Sequence, residues 1–183
     1  CDPPETLAAD ESVTASDCEE ATEAALADHL VSDVGYTVQL SGGVDSSLVA
    51  ALAANRTTQQ LGSFSVNLGA HPFDEGDYQD AVVARYGLDH QRVDVTADDY
   101  AETLPRAIHH MEGPTPHGGC TMLMLLCGRI RKRSKVVLTG EGADELFGGY
   151  LRYALWRKTM WQERISRLLP SRAWPNRWPF AGL

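Results

Sequence analysis

Apolar residues change their spacing several times along this 183-residue chain, and the changes mark out helices and strands in alternation. Between Asp17 and Ser32 the apolar positions Ala21, Ala24, Ala25, Ala27, Leu30 and Val31 recur at helical intervals, with Ser16 or Asp17 as the predicted N-cap. Short apolar runs predict strands over Tyr36 to Leu40, Leu61 to Leu68, Gln91 to Val95 and Lys135 to Leu138. Between them lie helical patterns at Ser46 to Ala54, Glu75 to Tyr86 (closed by Gly87), Ala97 to His110 and Thr121 to Arg131. This alternation predicts an α/β fold, a doubly wound parallel sheet of about five strands with helices on both faces. Residues 1–16 read as a flexible terminal segment, 17–155 as the main domain and 156–183 as a helical tail. In that tail Trp156, Met160, Trp161, Ile165, Leu168 and Leu169 share one helical face, before Pro170, Pro175 and Pro179 break the pattern.

The chemistry concentrates where the first strand runs into its helix, at Ser41-Gly42-Gly43-Val44-Asp45-Ser46-Ser47. Gly42 and Gly43 allow a tight turn that presents backbone N–H groups, the hydroxyls of Ser41, Ser46 and Ser47 add donors, and the helix N-terminus adds positive dipole. Such a nest suits phosphate. Asp45 is the odd member, because a carboxylate there repels phosphate unless a cation lies between them, which implies Mg²⁺. At ordinary residue abundances the pattern arises by chance in a chain of this length on the order of once in 10⁵ sequences. The Gly-Lys-Ser/Thr ending of a Walker A loop is absent, which argues against γ-phosphoryl transfer. The loop resembles that of the PP-loop ATP pyrophosphatases, which split ATP between the α and β phosphates.

A second motif narrows the reading. Thr139-Gly140-Glu141-Gly142-Ala143-Asp144-Glu145-Leu146-Phe147-Gly148-Gly149-Tyr150 follows a strand pattern, and it puts three carboxylates on a glycine-punctuated turn where open α/β sheets place ligands. Asp45 and Asp144, from two strand ends, can share one Mg²⁺. The two motifs together resemble the asparagine synthetase family over roughly residues 20 to 160. The resemblance implies ATP and Mg²⁺ as cofactors. It assigns Asp45 and Asp144 to the metal, and Glu141 to the acyl-adenylate, where a carboxylate accepts a proton from the attacking amine. It also gives Ser41, Gly42, Gly43, Asp45, Ser46, Ser47, Val66, Thr139 and Gly140 to the nucleotide, Val66 through the adenine-side strand Ser63 to Val66. Glu112, ahead of the breaker-rich loop Gly113 to Gly119, resembles the family's acidic residue before a proline-containing loop.

Composition closes off other classes. Residues 1–104 hold three Lys/Arg against twenty Asp/Glu and residues 105–183 thirteen against five, with a formal net charge of −9. The basic run Arg129-Ile130-Arg131-Lys132-Arg133 reads as a helix end that complements the dipole, so no nucleic-acid partner is expected. No run reaches the ~18 apolar residues of a membrane span and no signal peptide opens the chain, so no membrane partner and a cytoplasmic location are expected. Cysteines 1, 18, 120 and 127 lack any zinc or redox spacing and read as reduced thiols. His109 and His110 end a helix, and His71, His90 and His117 stand isolated in loops or at strand ends.

The activity implied by the resemblance is ATP-dependent amide formation. A carboxylate, aspartate on family grounds, is adenylated with release of pyrophosphate, and ammonia then displaces AMP. The expected partners are ATP, a small carboxylate and ammonia supplied by a glutaminase domain or chain. Two alternatives stay open: a macrolactam or β-lactam cyclase of the same family, and a truncated nucleotide-binding fragment without turnover. The family's adenylate-neutralising lysine has no counterpart at Lys132, Lys135 or Lys158, and the absence of an initiating Met reads as a fragment or processed product. Cys1 coincides with the glutaminase nucleophile of full-length members, but only about 36 residues precede the first strand, far short of such a domain.

Overall fold

Thr14 starts the first helix, ahead of the predicted Ser16 or Asp17, because it forms a reciprocal box with Asp17: the Asp17 N–H donates to Thr14 Oγ1 (3.3 Å) and the Thr14 N–H donates to Asp17 Oδ2 (2.7 Å). The Thr14 hydroxyl also donates to Asp17 Oδ2 (2.6 Å), and this bond together with the one from the Thr14 N–H holds the Asp17 carboxyl below its ordinary range. Thr96 and Asp99 repeat the device at the head of a later helix. The computed structural model describes residues 13–69, 74–114, 117–153 and 155–156. Its elements run α1 (Ala15–His29), β1 (Tyr36–Gln39), α2 (Val44–Arg56), β2 (Gly62–Asn67), α3 (Gly76–Tyr86), β3 (Asp89–Asp94), α4 (Ala97–His110), α5 (Gly119–Ile130), β4 (Val136–Leu138) and α6 (Ala143–Phe147). The flexible segment expected up to residue 12 and the apolar tail face expected beyond Trp156 lie outside the described residues.

The strands pair in the order β3-β2-β1-β4, all parallel. The doubly wound α/β expectation holds, with four strands among the described residues in place of about five. The chain divides into two compact units, 1–140 and 141–183, so the whole sheet belongs to the first and α6 to the second. Register assigns the faces: Val38 of β1 lies beside Leu138 on one side and Ser63 on the other, so the three share a face. On it Val38, Leu40 and Leu138 pack with Leu26 of α1 and Ala50 and Ala53 of α2. The opposite face brings Phe64 and Val93 against Leu126 and Ile130 of α5. Both faces are covered, which is why these strands carry apolar residues without strict alternation.

The first face has one polar interruption. Ser63 and Ser65, both fully buried, flank His90 of β3, whose Nδ1 and Nε2 lie 2.8 and 3.1 Å from their hydroxyls. His90, isolated in the sequence, thus has two partners. Burial, helped by the nearby Arg92, pushes its pKa below the ordinary imidazole value and keeps it neutral. Cross-links at the surface include Arg133 with Asp89 and Arg92 with Asp80 at 2.7 Å, so Arg133 of the basic run is tied to β3. Cys18, Cys120 and Cys127 are free thiols.

Two outcomes follow from this packing. Phe64→Ala removes a ring that is 1 % exposed and destabilises the domain by about 3–5 kcal/mol in urea denaturation. The lowered pKa of His90 means that the unfolded chain takes up its proton first, so this contribution is complete above about pH 6.5 and is lost as pH falls through that value towards the folded pKa. His90→Gln flattens that part of the stability–pH curve, which wild-type and variant melts between pH 5 and pH 8 check.

Candidate functional site

The strand order reverses at β1: the chain leaves β1 for β2 and β3 on one side and returns to β4 on the other. A crevice therefore opens beyond the carboxyl ends of β1 and β4, the position that open α/β sheets use for ligands. Two glycine turns of the first unit meet there. A Cβ on Gly140, after β4, would lie 2.8 Å from the Ser46 nitrogen and 2.9 Å from the Asp45 carbonyl carbon. Only glycine lets the backbone after β4 lie this close to the first turn of α2.

The turn after β1 is shaped as tightly. Gly42 has φ +102°, and a Cβ on it would meet Glu75 Cβ at 2.8 Å and Glu75 O at 2.9 Å. The hydroxyls mostly serve the loop itself. Ser46, buried, accepts from the Ser41 N–H (3.2 Å), pairs with Ser41 Oγ (2.8 Å) and donates to Gly43 O (3.2 Å), while Ser47 Oγ donates to the same carbonyl (2.7 Å). Ser41 Oγ accepts the Gly43 N–H at 3.2 Å. Gly43, the N-cap of α2, provides no side chain for the first turn. The first turn of the helix therefore has no side-chain cap on its N–H groups, with the dipole behind them. Asp45 lies exposed on the same turn.

Sequence reasoning missed the clamp on this loop. Gln79 of α3, 3 % exposed, donates from Nε2 to Ser41 O at 2.9 Å. Its signal was a long polar side chain one helical turn after Glu75, on the side of α3 that the core covers. Beside the loop is a cleft of about 160 Å³ with apolar walls from Leu40, Val66, Leu68, Met122 and Leu126. Val66, predicted on the nucleotide side, is among them, and Thr139 is exposed at the end of β4.

The second unit holds Glu141, Asp144 and Glu145. Gly142 and Gly148 bracket α6 with φ +94° and +70°, which lets a five-residue helix start and stop sharply. Glu141 is exposed and Asp144 half-buried, its carboxylate against Gly149, where a Cβ would collide with it. Glu145 accepts the Tyr150 hydroxyl at 2.7 Å, which lowers its own pKa and pushes that of Tyr150 up to about 12. Glu112, exposed at the end of α4, adopts φ +56°, a left-handed conformation unusual for a side chain of its kind. Residues 115 and 116 of the loop after it lie outside the described residues.

Comparison with known proteins agrees with this geometry. The asparagine synthase family model matches residues 17–181. A putative glutamine-hydrolyzing asparagine synthetase of Mycobacterium bovis is 37% identical over 131 residues, covering 72% of this chain and 20% of that protein. Asparagine synthetase B of Escherichia coli is 34% identical over 168 residues, covering 82% of this chain and 30% of the relative. The chain thus spans between a fifth and a third of the length of these relatives. Among solved structures, an NH3-dependent NAD synthetase from Campylobacter jejuni shares the fold with a TM-score of 0.51 at 18% identity, over 75% of this chain and 61% of that one.

The loop's clamps generate a stability test. Gly42→Ala meets both an unfavourable φ and the Glu75 backbone and costs about 1–3 kcal/mol. Gln79→Leu strands the Ser41 carbonyl and costs about 1–3 kcal/mol. Denaturant midpoints of the two variants measure both.

Proposed function

The chain belongs to the asparagine synthase family, and we propose that it forms the ATP-using, amide-forming part of such an enzyme. Its substrates on this reading are ATP, the side-chain carboxylate of aspartate and ammonia, the last delivered by a glutaminase domain or partner. The observation that carries the proposal is the uncapped, glycine-shaped N-terminus of α2 at the strand-order switch, abutted by the turn at Gly140 and flanked by an apolar cleft. Phosphates suit the first and a purine base the second.

Each residue then has a task. The N–H groups of the α2 first turn bind pyrophosphate oxygens, held in shape by Ser41, Ser46, Ser47 and the Gln79 clamp. Val66 and Leu40 give the adenine its apolar contacts. Among the described residues no three carboxylate, His or Cys side chains form a ready-made metal cage. Mg²⁺ commonly takes one or two carboxylates and completes its shell with phosphate and water, and a carboxylate such as Asp45 of the first unit or Asp144 of the second is the kind of donor it would take. When bound, Mg²⁺ supplies charge neutralisation on the phosphates. The carboxylate oxygen attacks the α-phosphorus and the bond to the β-phosphate oxygen breaks, releasing pyrophosphate. Ammonia then attacks the acyl carbon, AMP leaves, and Glu141 accepts the proton that the nitrogen sheds. Thr139, Gly140 and Glu112 border the nucleotide and acceptor on this reading.

Incubation of the chain with Mg-ATP, aspartate and ammonia tests it. Aspartate-dependent release of AMP and pyrophosphate, reduced about 100-fold or more in Asp45→Asn, is the expected result. Formation of ADP and phosphate instead overturns the proposal.

A further inference from the structure

We propose that His90 is a positioning residue for nucleotide recognition: by bridging Ser63 and Ser65 it fixes the cleft wall at the carboxyl end of β2, against which the base lies. The inference rests on the nucleotide reading of the cleft given above. His90 does not itself line the cleft, yet Ser65, which its Nε2 holds at 3.1 Å, lines that cleft next to Val66. Its Nδ1 is anchored at 2.8 Å to Ser63, which is fully buried. A neutral imidazole has one N–H and one bare nitrogen, so the two hydroxyls take opposite roles: one donates while the other accepts. Ser65 is thereby held in a single orientation, and the strand end that carries Val66 is held with it. Arg92 and Asp80 are the charged groups that act on the ring from β3 and α3.

Two amide replacements separate positioning from mere support. Asn at position 90 puts its amide near the Nδ1 position and keeps Ser63, whereas Gln reaches the Nε2 position and keeps Ser65. Equilibrium dialysis of the full chain with Mg-ATP and, separately, with Mg-pyrophosphate reads the difference, because pyrophosphate engages only the loop at Ser41 to Ser47. His90→Asn and Ser65→Ala, which release Ser65, weaken ATP about 5–10-fold, His90→Gln and Ser63→Ala, which loosen the anchor but keep the hold on Ser65, weaken it about 2–3-fold, and pyrophosphate affinity is the same in all. Equal ATP affinities in His90→Asn and His90→Gln, or ATP and pyrophosphate weakening together, overturn the positioning role and leave the nucleotide reading standing. A wild-type chain that holds neither probe overturns both.

Discussion

Backbone meets backbone where Gly140 lies against Asp45 and Ser46, and the separation there leaves no room for a methyl group. The two turns of the sheet's switch point share that space only because one side has no Cβ. The same logic acts at Gly42, which is pressed from the other side by Glu75. Held between α3 and the turn after β4, the loop after β1 has a fixed shape before any ligand arrives. Its serines show a division of labour: Ser46 is buried and engaged inside the loop, and the proposed function gives the phosphates to the backbone N–H groups instead. Preorganised donors of this kind need no rearrangement at the moment of reaction, which is where electrostatic catalysis gains most.

Much of this was legible in the sequence because the local signals and the global fold agree. Apolar runs of strand length, separated by helical stripes and closed by Gly87, gave the βα order, and α4 begins and ends at the predicted residues. The cap of α1 was misplaced because Ser16 and Asp17 are both good caps; only the reciprocal Thr14 and Asp17 pairing selects the earlier residue. The glycine-shaped turn between β1 and α2 was legible because the residues that shape it lie within seven positions. Gln79, Glu75 and the His90 bridge were not. Each acts on a residue 25 or more positions away, through pairings set by strand register and helix packing, and no local periodicity encodes such partners.

The charge pattern brings one more constraint. The N-terminal 104 residues hold three arginines and no lysine against twenty acids, although they contain the turn best suited to phosphate. Two of those arginines are already engaged, Arg56 with Glu23 and Arg92 with Asp80, and Arg85 lies over the Tyr86 ring at 5.8 Å. A polyphosphate approaching this surface meets a repulsive field that salt screens only beyond about 8–10 Å. Close to the loop the balance shifts, because the helix dipole and the free N–H groups act at contact distance, but they supply only about half a unit of positive charge. The remainder has to come with the ligand, and a nucleotide that carries its own divalent cation meets the requirement. Under the proposed function Asp45, which would otherwise repel the phosphates, is the carboxylate that meets the cation. On the proposed function, a loop with no lysine or free arginine close to it in sequence favours metal-bound nucleotide over the free anion.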